Sequence, residues 1–231
     1  MTALGATRTI ASLTLVRVFR GRALWVSGAI AMLPVFFGYM LRERGSSEFA
    51  TGLDIFAFEQ LVLAVLPALL VAASVGEDIE DRTTTYLWSR PVPRWAVLAG
   101  KLLAMIPIIA TLSIASWCTA MLVATEQLPS YESCLALAIG ATALALIAAS
   151  IATLVPRYGM ALSICYMLFF DLPLGGLPAA IENVSVTRHA RVIAEMVSDL
   201  EASRTGAAIG ITTIALLWAV VGLWRIRRLE A

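Results

Sequence analysis

The sequence predicts an all-α, polytopic membrane protein: one domain over residues 1–231, crossed by six transmembrane helices, with both termini on the cytoplasmic side. Three observations carry that expectation. Apolar residues make up 60% of the chain and charged residues only 14%, against roughly 25% charged in soluble domains. The mean hydropathy is +0.85, an apolar excess that no single core absorbs, so the bilayer takes the place of water. Six separate runs then reach the ~20 mostly apolar residues that a helix needs to cross the hydrocarbon layer. A net charge of +1 leaves no electrostatic footprint for nucleic acid.

In chain order, Arg8, Arg17, Arg20 and Arg22 precede the first run, 23–41, which holds no charge and stops before Arg42. No small-residue cleavage site follows an apolar stretch of signal-peptide length, so this run is expected to be retained. The second run, 55–76, is interrupted only by Glu59. The third covers 102–124, the fourth 133–155, the fifth 159–181 with Asp171 inside it, and the sixth 206–224. Each is expected to be helical, because lipid cannot satisfy open backbone groups. Placing the N-terminus inside puts twelve Arg and Lys on the cytoplasmic side and five outside, as the positive-inside rule requires. Arginine outnumbers lysine sixteen to one, the usage of a GC-rich bacterial genome, and the expected location is a bacterial cytoplasmic (inner) membrane.

The longest outer piece, 182–205, carries Val192, Ile193, Met196, Val197 and Leu200 at helical spacing opposite Arg191, Glu195 and Asp199. A short amphipathic helix is expected there, lying on the outer membrane surface or packed over the bundle. Just before it, "DLPLGGLP" sets two Pro and two Gly at membrane depth. A broken or re-entrant end of the fifth span, sheltered by neighbouring helices, follows.

Chemistry-bearing patterns are few. There is no Gly-rich phosphate loop of the G-x-x-x-x-G-K-[ST] kind, no H-E-x-x-H, and no metal-type carboxylate cluster. The single histidine, His189, reads as a surface polar residue of the outer segment. Cys118, Cys134 and Cys165 show no zinc or disulfide-framework spacing and read as small buried hydrophobes. Two acids stand inside spans, where a charge costs at least ~2.5–3.5 kcal/mol. Glu59 lies four residues inside the outer end of its expected span, about 6 Å deep, within reach of headgroups or facing the bundle. Asp171 precedes the Pro/Gly break and is placed to cap a short helix beginning near Leu172; its other reading is proton or substrate handling. The small residues of "AIGATALALIAASIA" in the fourth span allow close helix approach, within the chain or across a dimer seam. Tryptophans near span ends form an aromatic belt.

The most polar connection is "GEDIEDRTTTYLWSRPVPRWAVLAGK", residues 76–101. Glu77, Asp78, Glu80 and Asp81 come where the second span ends, in or just before a short helix whose dipole suits acids in its first turn. Pro91 and Pro93 stop that helix, confining it to about 79–89. Arg94 restarts the chain toward the third span, and Gly100-Lys101 marks the membrane boundary. The product is a short charged helix held at both ends and facing the cytoplasm.

These residues resemble the loop between spans two and three in type-2 permeases of ATP-binding-cassette transporters. That family loop has an acidic start, a Gly-Thr or similar pair, a Leu, then Pro-Val-Ser-Arg and a later Gly-Lys. Glu80, Thr84, Leu87, Pro91, Val92, Arg94, Gly100 and Lys101 match it, whereas Thr83 and Pro93 replace the usual Gly and Ser. The resemblance implies that the loop is a coupling helix docking on a separately encoded ATPase, with Glu77, Glu80, Asp81, Arg82, Thr84, Leu87, Arg90, Pro91 and Arg94 as the partner-facing residues. It also implies an N-terminal interfacial helix at about 8–20, and a homodimeric exporter that pairs two copies of the chain, in membrane lipid, with two ATPase copies. On that reading the chain is no enzyme and binds no cofactor or metal; ATP and Mg belong to the partner ATPase. Two other classes compete. One is an ion- or proton-coupled secondary transporter using Glu59 and Asp171. The other is an integral-membrane enzyme, disfavoured because no catalytic groups converge at one depth.

Overall fold

The computed structural model describes residues 3–42, 48–80, 93–177, 180–196 and 203–228. Among them the regular elements are all helical. They are α1 (Ala3–Arg20), α2 (Arg22–Ala31), α3 (Leu33–Arg42), α4 (Glu48–Pro67), α5 (Ala73–Glu80), α6 (Arg94–Thr125), α7 (Tyr131–Leu154), α8 (Gly159–Tyr166), α9 (Leu172–Leu174), α10 (Val186–Ile193) and α11 (Arg204–Arg228). Wide π-helical turns at Ala68–Ala72 and Met167–Asp171 carry α4 into α5 and α8 into α9. The first directly follows Pro67, which has no N–H for the carbonyl four residues back, so the ladder reorganises there. Pro34 has the same effect two residues after Met32, where α2 gives way to α3.

Among the described residues, five stretches are long and apolar enough to cross a bilayer: Arg22–Arg42, Thr51–Gly76, Trp95–Thr125, Tyr131–Leu154 and Arg204–Arg228. They fall on five of the six expected runs. Among the described residues the run at 159–181, before a 3-10 turn at Ala180–Val184, is continuously helical only through α8, the π turn and α9, which are 8, 5 and 3 residues long. Together they reach about 24 Å at 1.5 Å per residue, short of the ~30 Å hydrocarbon thickness. The Pro/Gly break is the reason: Gly175 N–H closes onto Asp171 O at 3.1 Å and Gly176 N–H onto Pro173 O at 3.0 Å, turning the chain.

Helix α7 is the hub. Its Ala136, Gly140, Ala141, Ala143, Ala145, Ala148, Ala149 and Ala152 are all buried, against α4, α6, α8, α10 and α11. The small-residue run therefore serves packing within the chain. In lipid, helices gain little from the hydrophobic effect on meeting one another, so close packing and interhelical hydrogen bonds hold them together. Ser150 Oγ donates to Trp218 O of α11 at 2.6 Å. A Cβ on Gly222 would lie 2.7 Å from that same Oγ, so glycine is what lets the two helices meet.

Charged groups collect at the two ends of the bundle. Near the end of α3, Arg42 pairs with Glu126 at 2.6 Å, and at the start of α11 Arg204 contacts Glu195 and Glu132. At the other end Arg17, Asp78 and Lys101 come together. Helix α1 packs along α6 there, burying Ala6, Ala11, Thr14 and Val18. A Cβ on Gly100 would sit 2.8 Å from Thr7 O, so this glycine sets the depth of that contact. The other side of α1 exposes Leu13, Val16 and Phe19 beside Arg17 and Arg20.

Candidate functional site

The first cluster lies at the foot of the 76–101 connection. Span two runs on as helix through α5 to Glu80, the last residue described before the gap. Glu77, Asp78 and Glu80 therefore ride the end of that helix. They were expected where span two ends, in or just before a short helix; the apolar run ends at Gly76, but the backbone ladder continues to Glu80. Acids at this end of a helix oppose its dipole, and Asp78 is compensated by cations. Its carboxylate forms an ion pair with Lys101 Nζ and lies 3.3 Å from Arg17 NH1. Lys101 is only 5% exposed and donates to Ser74 O at 2.6 Å. One acid thus ties α1, α5 and α6 together. Beside it opens a cavity of about 310 Å³, lined by Arg17, Arg22, Asp78 and Lys101 and by Leu13, Leu69 and Met105. Of the expected partner-facing residues, Glu77, Glu80 and Arg94 lie on described helical backbone. Asp81, Arg82, Thr84, Leu87, Arg90 and Pro91, and the helix expected at 79–89 from residue 81 on, fall outside the described residues.

Glu59 is the second site. Its helix begins at Glu48, eleven residues earlier. Glu59 is completely buried, which removes the headgroup reading and leaves it facing the bundle. Ser116 Oγ donates to Glu59 Oε2 at 2.7 Å, while Glu59 Oε1 and Ser113 Oγ, one turn from Ser116 on α6, are buried and within the described residues lack a hydrogen bond of good geometry. Trp117, next along α6, packs edge-on against Phe56 with centroids 5.2 Å apart and donates Nε1–H to Ser133 Oγ at 2.9 Å.

Asp171 forms the third. It does cap a helix, but not the short one at Leu172. Its Oδ1 accepts Val186 N–H at 2.7 Å and its Oδ2 accepts Thr187 N–H at 3.1 Å. Ser185 Oγ accepts Arg188 N–H at 3.2 Å, and Glu182 O accepts the N–H of Ser185 itself at 3.0 Å. All four orphan donors of the first turn of α10 are thereby satisfied, as they must be where water is excluded. Gln60 Nε2–H donates to Thr187 O at 2.8 Å, and Arg191 Nε–H donates to Gln60 Oε1 at 2.5 Å, fastening α10 to α4.

Helix α10 is sunk into the bundle, not spread on a membrane surface. Val186, Thr187, His189, Ala190, Val192 and Ile193 are buried, and Ala190 packs beside Gly140, about 13 Å along α7 from its start. Of the apolar pattern read at 192–200, Val192 and Ile193 form the last turn of α10, Ala194 caps it and Glu195 takes a left-handed φ of 58°; Val197, Asp199 and Leu200 lie outside the described residues. His189 is likewise not a surface residue: it is 5% exposed, with Nε2 2.9 Å from Asn183 O. Nor are the cysteines uniformly buried, because Cys118 and Cys134 are half-buried and Cys165 is exposed.

A scan against protein-family models and a search of the curated proteins both return no match.

Proposed function

We propose that this chain is the membrane-spanning permease subunit of an ATP-binding-cassette exporter, working as a homodimer and driven by a separately encoded ATPase that docks on the cytoplasmic loop at 77–94. The observation that carries this reading is the knot at the foot of that loop. Lys101, the lysine of the matched Gly-Lys pair, is tied to Asp78 and Ser74 at the end of span two. Gly100, its glycine, admits α1 against α6. A push on the loop therefore reaches three helices at once, which a passive connection does not need. Apolar helices with few internal charges suit a hydrophobic or amphipathic cargo, or a subunit that transmits force across a bacterial inner membrane.

In this reading the sixth crossing is the short α8–α9 unit, its outer end sheltered by α10 in the manner of a re-entrant segment. The grouping of Arg42, Glu126, Glu132, Glu195 and Arg204 at one end, and of Arg17, Asp78 and Lys101 at the other, agrees with both termini lying inside. Helix α10 then plugs the outer end of the bundle. The test is co-expression with candidate ATPases and capture of the complex in detergent. Reversing Arg94→Glu together with Glu80→Arg is expected to release the ATPase from an intact, folded permease.

One observation favours a second reading, an ion- or proton-coupled carrier: Glu59 is fully buried and its Oε1 makes no well-formed hydrogen bond among the described residues. Asp171 gives that reading less support, because both its carboxylate oxygens are occupied by the backbone of α10.

A further inference from the structure

Cys118 on α6 and Cys134 in the first turn of α7 hold their sulfur atoms 4.0 Å apart. Both thiols are free and half-buried. The residues just before them bond across the same seam, Trp117 Nε1–H donating to Ser133 Oγ at 2.9 Å. Ser133 Oγ in turn donates to Ser130 O at 2.7 Å, so the register of the two helices is fixed at this level. A disulfide needs its sulfurs about 2.05 Å apart, and rotation about the two Cα–Cβ bonds can supply the remaining ~2 Å. The 16-residue separation in sequence hides the pair; only the α6–α7 hairpin brings it together.

We propose that Cys118 and Cys134 are a modification site at which a reversible disulfide staples α6 to α7. The oxidant is a small disulfide, RSSR. One cysteine attacks it, forming a mixed disulfide and releasing one RSH; the second cysteine displaces the remaining RSH and closes the S–S bond. Two protons and two electrons pass from the cysteines to the oxidant, which leaves as two thiols. The staple fixes the turn end of the hairpin, near Glu126, and prevents α6 from sliding along α7. Its physiological oxidant rests on the proposed orientation, which places this end on the outer side, where disulfides persist. Closure of the pair itself does not.

The test uses the full chain in detergent, incubated with glutathione disulfide, alkylated, and cut with a glutamyl-specific protease. Glu126 and Glu132 lie between the two cysteines, so cleavage at both leaves the halves joined only if the disulfide has formed. The expected result is halves that stay together without reductant and separate with it. Cys165→Ser behaves in the same way, and Cys118→Ser releases the halves. If the wild-type halves separate without reductant, each carrying glutathione, or are linked only between copies, the proposal is overturned. The wild-type result decides even if a variant fails to accumulate. An ATPase complex can form with free thiols, and the staple can form in a chain that binds no ATPase, so the two proposals fail separately.

Discussion

Lys101 and Asp78 form an ion pair between the start of α6 and the end of α5, with Lys101 buried and Asp78 shared with Arg17 of α1. Removing Lys101 strips Asp78 of its buried counter-charge, whereas replacing both members of a buried pair by apolar groups can be close to neutral. Lys101→Met is therefore expected to destabilise the solubilised protein by about 3 kcal/mol. The double variant Lys101→Met, Asp78→Leu should recover much of that loss. Thermal unfolding across the four-member cycle measures the coupling, and strictly additive losses would contradict the pairing.

Asp171 caps α10 through two backbone N–H groups. Asn offers one acceptor oxygen where the carboxylate offers two, so Asp171→Asn should cost about 1 kcal/mol. Amide hydrogen exchange should rise at Val186 and Thr187 and stay unchanged in α11. If Asp171 instead carried a proton through the membrane, the variant would abolish transport while leaving that exchange pattern as it was.

Glu59 is fully buried, and one of its carboxylate oxygens makes no well-formed hydrogen bond among the described residues, an arrangement that an apolar side chain of similar volume relieves. Glu59→Met is expected to hold or raise thermal stability. Reconstituted vesicles then separate the two functional readings: ATP-driven activity should survive Glu59→Gln, whereas ion-coupled transport would be lost.

Helical class and the five stretches long and apolar enough to cross a bilayer were legible because a bilayer demands long apolar runs and, short of a closed barrel, leaves helix as the only backbone. The shortened run at 159–181 announced its break in "DLPLGGLP", which terminates α9 at Gly175. A capping role for Asp171 was legible in kind but not in target, because Val186 lies 15 residues on and is reached only after the chain folds back. The helix that carries Glu59 starts before the apolar run at 55–76, because Thr51 to Asp54 look like a loop by composition but continue the helix. The Lys101–Asp78 knot and the Cys118–Cys134 pair depend on the register between helices, which periodicity along one helix does not encode. The acids at 77–80 misled for a related reason: polarity marks where lipid ends, and a helix can run past that point.

The central claim, that energy enters through the loop at 77–94, is tested most directly by purifying the tagged chain from its native membrane and measuring Mg-ATP hydrolysis in the eluate. The account predicts a co-eluting ATPase whose activity leaves with Arg94→Glu and Glu80→Arg, while the permease remains folded and monodisperse. A chain that elutes without any ATPase and moves its cargo across vesicles in the absence of ATP would contradict it.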